Sequence, residues 1–210
     1  MRRKLLPEEH PDLADSLSCL GWLYRFQRRY QEAEPLFIEA LHTRRKFLPT
    51  GHPDIANSLI DLGQLYRDEG QYQKAELFYL EALTMRRTSR MVDDPLIGNS
   101  LHNLAELYSL QRRYQEAEAL YLEALNIRRK SLPRTHPYTA TTLHSLARLY
   151  SFQGRYADAE PLYKQALETF RKSLPKNHPY ITETLNNYLA FLREQGREAE
   201  ASAFLKEWET

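Results

Sequence analysis

The chain has 210 residues, 42% of them hydrophobic and 27% charged, which suits a folded protein and argues against disorder. Lys and Arg total 29 against 28 Asp and Glu, so the net charge is +1, without the basic stripe of a nucleic-acid binder. One cysteine, Cys19, cannot form an internal disulfide. No apolar run is long enough for a signal peptide or a membrane span, so the expected location is the cytoplasm.

The opening segment, Arg2-Arg3-Lys4-Leu5-Leu6-Pro7, matches Arg44-Arg45-Lys46-Phe47-Leu48-Pro49 and Arg128-Arg129-Lys130-Ser131-Leu132-Pro133. Residues 1–9 therefore read as the tail of an incomplete preceding repeat, and the chain as the C-terminal or trimmed part of a longer one. A repeating unit then begins. His10-Pro11, His52-Pro53, Asp94-Pro95, His136-Pro137 and His178-Pro179 recur at a spacing of 42. The units run 10–51, 52–93, 94–135, 136–177 and 178–210, the last degenerate and read as a C-terminal cap.

Each unit opens with one helix and closes with another. In the first unit, apolar or small residues at 14, 17, 20, 21 and 24 share one face at helical spacing. Ala33, Leu36, Phe37, Ala40 and Leu41 do the same in the second helix. Proline is tolerated in a helix's first turn, and Asp94 in the place of histidine is a good N-cap, so these positions start the first helices. The recurrent histidines thus read as caps; units about 10 Å apart could not bring them to one metal ion. Between the helices lie Gly70, Gly154 and Gly196, where a left-handed residue is useful, with Arg28 and Arg112 in the other units.

Gly21, Gly63, Ala105 and Ala147 are expected to let the two helices of a unit approach. Ala33, Ala75, Ala117 and Ala159 answer them from the partner helix, and Tyr24, Tyr66, Tyr108 and Tyr150 fill the space beside them. The linker 88–94 of the third unit has lost the usual Lys-x-Leu-Pro. In the fifth unit Leu189, Leu192 and Glu198 replace the small residue and two tyrosines, as expected of a more polar terminal repeat. Basic clusters at the ends of the second helices, such as Arg44-Arg45-Lys46 and Arg128-Arg129-Lys130, read as dipole compensation and pairing within the array.

The unit resembles the tetratricopeptide repeat in Leu17, Leu20-Gly21, Tyr24, Ala33, Phe37 and Ala40 and their equivalents. The 42-residue period, the His-Pro opening and the Tyr-x-Glu-Ala-Glu and Ala-Leu-x-x-Arg-Arg-Lys segments resemble the kinesin light chain type. That resemblance implies an all-α fold, a right-handed α-solenoid superhelix of stacked helix-turn-helix repeats. It also implies a concave groove, lined by first helices, that takes peptides. The expected groove residues are Trp22, Arg25, Asn57, Arg67, Asn99, His102, Asn103, His144, Arg148, Asn186 and Arg193. Asparagines both donate to and accept from an extended backbone, and arginines pair with carboxylates. Phe26, Ile60 and Phe152 add apolar contact.

The expected partner is a protein or peptide with acidic and aromatic residues, bound by a monomer, with no nucleic acid, membrane, metal or cofactor. The alternative is a self-associating or regulatory module of a larger protein. No catalytic motif is present, so an enzyme is not expected.

Overall fold

A computed structural model describes residues 11–88 and 94–209. The tail 1–9, His10 and linker residues 89–93 lie outside the described residues. The described chain is all-α, without strands. Its helices are α1 (Pro11–Phe26), α2 (Tyr30–Phe47), α3 (Pro53–Asp68), α4 (Tyr72–Thr88), α5 (Pro95–Leu110), α6 (Tyr114–Ser131), α7 (Pro137–Phe152), α8 (Tyr156–Ser173), α9 (Pro179–Glu194) and α10 (Glu198–Glu209). The odd-numbered helices are the first helices expected from the sequence, and the even-numbered ones the second.

Two compact units divide the chain, Met1–Arg113 and Tyr114–Thr210. In the N-terminal unit α1 packs on α2, α2 on α3, α3 on α4 and α4 on α5, while α1 touches α3 and α3 touches α5. In the C-terminal unit α6 packs on α7, α7 on α8, α8 on α9 and α9 on α10, and α7 touches α9. Each unit is thus a stack of helix pairs in which first helices lie beside first helices.

Local chemistry sets the helix boundaries. The Nδ1 atoms of His52, His136 and His178 accept the backbone N–H two residues on, each at 3.2 Å. Asp94 Oδ1 accepts from Leu96 N–H at 2.9 Å. These are N-caps, with proline in the first turn where no N–H is needed. At the other end of the first helix the chain turns through a left-handed residue: Gly70, Gly154 and Gly196, and equally Arg28 (φ 59°) and Arg112 (φ 61°). The next N–H then reaches back to a helix carbonyl, as from Gln71 to Tyr66 O at 2.8 Å and from Arg113 to Tyr108 O at 2.8 Å.

Close helix approach depends on glycine, but the group that meets it is an aromatic ring rather than the expected alanine. A Cβ on Gly21 would lie 2.7 Å from Phe37 Cε1, and one on Gly63 would clash with the Tyr79 ring. Ala33, Ala75, Ala117 and Ala159 are fully buried beside these rings in the same second helices. Tyr66, Tyr108 and Tyr150 pack nearby, but their hydroxyls also have a task between repeats.

Candidate functional site

Successive repeats are joined by polar contacts that recur with the repeat. A second-helix glutamate accepts from the next repeat's tyrosine: Tyr66 OH to Glu34 at 2.5 Å, Tyr108 OH to Glu76 at 2.9 Å, Tyr150 OH to Glu118 at 2.8 Å. Arg113 pairs with Glu76 at 2.9 Å, Arg155 with Glu118 at 2.8 Å and Arg197 with Glu160 at 2.7 Å. Arg197 and then Lys164 draw the Glu160 carboxyl down to about 2. Burial first, then the hydrogen bond to Glu118, pushes the Tyr150 hydroxyl up to about 12.

A second contact uses the first arginine of the clusters at 44, 86 and 128, which is buried rather than solvated. Arg86 donates to Ser100 Oγ at 2.7 Å, Leu96 O at 2.6 Å and Asn57 Oδ1 at 2.7 Å. Arg44 reaches Ser58 and pairs with Asp15 at 2.7 Å. Arg128, only 2% exposed, reaches Thr142 Oγ1 and Tyr138 O. Desolvation lowers the Arg86 guanidinium to about 10. Phe170 takes this place in the fourth repeat and packs on Tyr180, with ring centroids 5.8 Å apart. The hydroxyl that an arginine would meet, Thr184 Oγ1, is then buried without a hydrogen-bond partner among the described residues. Asn57, expected in the groove, is engaged by this clamp.

On the first-helix face of the N-terminal unit, charges are matched within the chain. Arg25 is only 8% exposed; it pairs with Asp68 at 2.7 Å, donates to Gln64 at 3.2 Å and lies 4.7 Å over the Trp22 ring. Arg67 bridges Asp68 at 3.2 Å and Glu106 at 2.8 Å. His102 Nε2 lies 3.4 Å from Glu106. Trp22 Nε1 donates to Asp61 at 3.1 Å. Burial raises the Asp61 carboxyl to about 6, against the pull of Arg44 and the Trp22 bond. Asn99 and Asn103 are half-buried on α5, whereas Ile60 is buried and Phe26 exposed.

The corresponding face of the C-terminal unit is open. His144 is buried, with Nε2 2.8 Å from Asn187 Nδ2 and its ring 6.0 Å from Tyr163. Arg148 is exposed and makes no ion pair or hydrogen bond among the described residues; its guanidinium lies 5.9 Å from the Phe152 ring. Phe152 is 65% exposed. Asn186 is exposed on α9, as is Arg193, which pairs with Glu198 at 3.2 Å. Arg148 and Phe152 on α7 thus share one unit with Asn186 on α9.

The sequence profile of the tetratricopeptide repeat matches residues 12–88, 96–172 and 154–207. The chain belongs to the tetratricopeptide repeat family. That family is in general a non-enzymatic protein-interaction fold. A structure of a putative kinesin light chain with nearly identical repeats from Podosopora anserina is 26% identical (TM-score 0.77), covering 95% of this chain and 94% of that one. BtubC from P. vanneervenii aligns with TM-score 0.81 at 23% identity, over 95% of this chain and 79% of that one, a likeness of fold. Apo RapI shares the fold at TM-score 0.69 and 18% identity, over 92% and 73% of the two chains. No match was found among curated protein sequences. Among the described residues no helix is long and apolar enough to cross a membrane.

The sequence reading expected pairing of the basic clusters within the array but missed the partners of both inter-repeat contacts. Their signal was nonetheless present. The spacings from Arg86 to Ser100 and from Glu76 to Tyr108 recur at Arg128 to Thr142 and Glu118 to Tyr150. The clusters are expected to compensate the helix dipole and pair within the array; that the first arginine of three of them faces inward to the next repeat is not part of that expectation.

Proposed function

We propose that the chain is a cytoplasmic scaffold that holds an extended segment of another protein against its first helices. The observation that carries this reading is Arg148, an exposed guanidinium without a carboxylate of its own, beside exposed Phe152 and in the same unit as Asn186. A bound carboxylate would give Arg148 a bidentate partner, an aromatic or aliphatic side chain would cover Phe152, and Asn186 would hold a peptide backbone. In the N-terminal unit the same proposal assigns Trp22, Arg25, Asn57, Arg67, Asn99, His102 and Asn103 to the groove. There Arg25 and Arg67 already have carboxylates, so they would act by shaping and pre-organising the surface. The resemblance to kinesin-light-chain repeats, which implies peptide capture, supports this reading.

Selection of a random peptide library on the intact protein tests it. Selected peptides are expected to carry Asp or Glu near an aromatic or aliphatic residue and to lose at least about tenfold in affinity on Arg148→Glu. Peptides without that composition, or indifferent to Arg148→Glu, would remove the assignment.

A second reading, self-association, is favoured by α1. Leu20 is 39% and Leu23 51% exposed, whereas Leu62, Leu65, Leu104 and Leu107 at the same repeat positions are at most 1% exposed. Sedimentation across concentration separates the two readings. A dimer abolished by Leu23→Glu supports self-association; a monomer throughout removes it.

A further inference from the structure

A different surface, on the side of the second helices, departs from the repeat in a way the first-helix reading does not use. In the C-terminal unit α6, α7 and α8 enclose a cleft of about 370 Å³. Its apolar lining includes Leu122, Leu125, Leu146, Ala157, Pro161 and Leu162, with Asn126 and Arg129 on α6. Arg155 also lines it, but that charge is matched by Asp158 at 2.9 Å and Glu118 at 2.8 Å.

Two departures from the repeat lie at or beside this cleft. Residue 157 is alanine where the earlier repeats carry Gln31, Gln73 and Gln115, so a long side chain is missing from the wall. Residue 165 is glutamine where they carry Glu39, Glu81 and Glu123. In the N-terminal unit that glutamate matters, because Arg45 forms an ion pair with Glu81. Arg129 stands in the place of Arg45 and Gln165 in that of Glu81. Arg129 is exposed and makes no ion pair or hydrogen bond among the described residues. One change opens apolar space; the other strips the neighbouring cation of its carboxylate.

We propose that this cleft is a second protein-docking site, which takes an aliphatic side chain of a partner segment and pairs a nearby carboxylate of that segment with Arg129. At about 370 Å³ the cleft lies at the small end of the range of ligand pockets, about 300–1,000 Å³, and has room for one or two side chains. Leu122 and Arg129 are separated by about 10 Å along α6 at 1.5 Å per residue. An extended segment covers that span in about three residues. The occupant is therefore a Leu-x-x-Glu or Leu-x-x-Asp segment of another protein, independent of whatever Arg148 holds.

Two-dimensional NMR of the isotope-labelled intact chain, titrated with a capped peptide carrying Leu-Ser-Ser-Glu between Ser-Gly flanks, tests the site. Saturable shifts are expected at Leu122, Asn126, Arg129, Ala157 and Leu162. Gln165→Glu and Ala157→Gln restore residues that other repeats carry, so both variants fold; each is expected to weaken binding about tenfold. A peptide with Gln for Glu should bind as weakly to the wild type as the original does to Gln165→Glu. Arg148→Glu should leave these shifts unchanged. Absence of saturable shifts at these residues at millimolar peptide, or undiminished binding by Gln165→Glu and Ala157→Gln, overturns the proposal.

Discussion

The first-helix faces of the two units are built on the same frame but treat charge in opposite ways. In the N-terminal unit Arg25 and Arg67 reach carboxylates on the next first helix, Asp68 and Glu106. In the C-terminal unit the place of Arg25 and Arg67 falls on α7 to Ser151, and Arg148 stands where the earlier repeats carry Trp22, Gln64 and Glu106; Asn187 is engaged by His144, and Arg148 is left to solvent beside Phe152. A repeat position fixes where a side chain points. Whether it stabilises the stack or awaits a partner depends on what the following repeat places opposite. The N-terminal face is thus a structural seam and the C-terminal face a vacant surface.

The largest effect should come from breaking the seam beneath the N-terminal face. Arg86→Met removes three hydrogen bonds to buried or half-buried partners, Ser100 Oγ, Leu96 O and Asn57 Oδ1. Urea denaturation should show a loss of about 2–4 kcal/mol. An equal loss from Phe170→Ala, where the clamp is apolar, would have a different origin, a cavity rather than stranded polar groups.

Next is Asp61, whose carboxyl is raised by burial from 3.8 to about 6. The folded state then binds the proton more tightly than the unfolded state. Stability is therefore highest below about pH 4 on this account and falls as pH rises to about 6. Asp61→Asn, which places there the residue found at 103 and 187, should gain about 2 kcal/mol at pH 7 and little at pH 4. A gain independent of pH would show that the penalty is not one of charge.

A smaller difference between the units lies in their turns. The C-terminal unit uses Gly154 and Gly196 at the left-handed position, whereas the N-terminal unit holds Arg28 and Arg112 there besides Gly70. Arg112→Gly should stabilise by about 1 kcal/mol in thermal unfolding, since a side chain in that conformation is strained. The smallest effect is expected at Thr184, whose buried hydroxyl has no partner among the described residues. Thr184→Val should be neutral or gain about 0.5 kcal/mol, while Ser100→Ala, which strands part of Arg86, should cost about 1–2.

Much of the fold was legible in the sequence because a 42-residue period repeats helical spacing, caps and turns together. The cap at Asp94 betrayed the role of the histidines, and Gly70 that of Arg28. The candidate site was legible only as a set of positions. Arg25, Arg67 and Arg148 look alike in the sequence as cations on first helices. Arg25 and Arg67 share one repeat position and Arg148 stands at another, that of Glu106; which of them is paired also depends on the residue across the helix interface, a tertiary relation that their own helix does not encode. The packing partner of Gly21 was missed for a similar reason: the large ring of Phe37, not the small Ala33, faces the gap.

The most direct test of the contrast is a paired measurement on Arg67→Ala and Arg148→Ala, reading unfolding free energy and affinity for a selected acidic-aromatic peptide in the same preparations. The seam-and-surface account predicts that Arg67→Ala lowers stability by about 1 kcal/mol. It predicts that Arg148→Ala leaves stability within about 0.5 kcal/mol but weakens the peptide at least about tenfold. Arg148→Ala with unchanged affinity, or with the larger loss of stability, would contradict it.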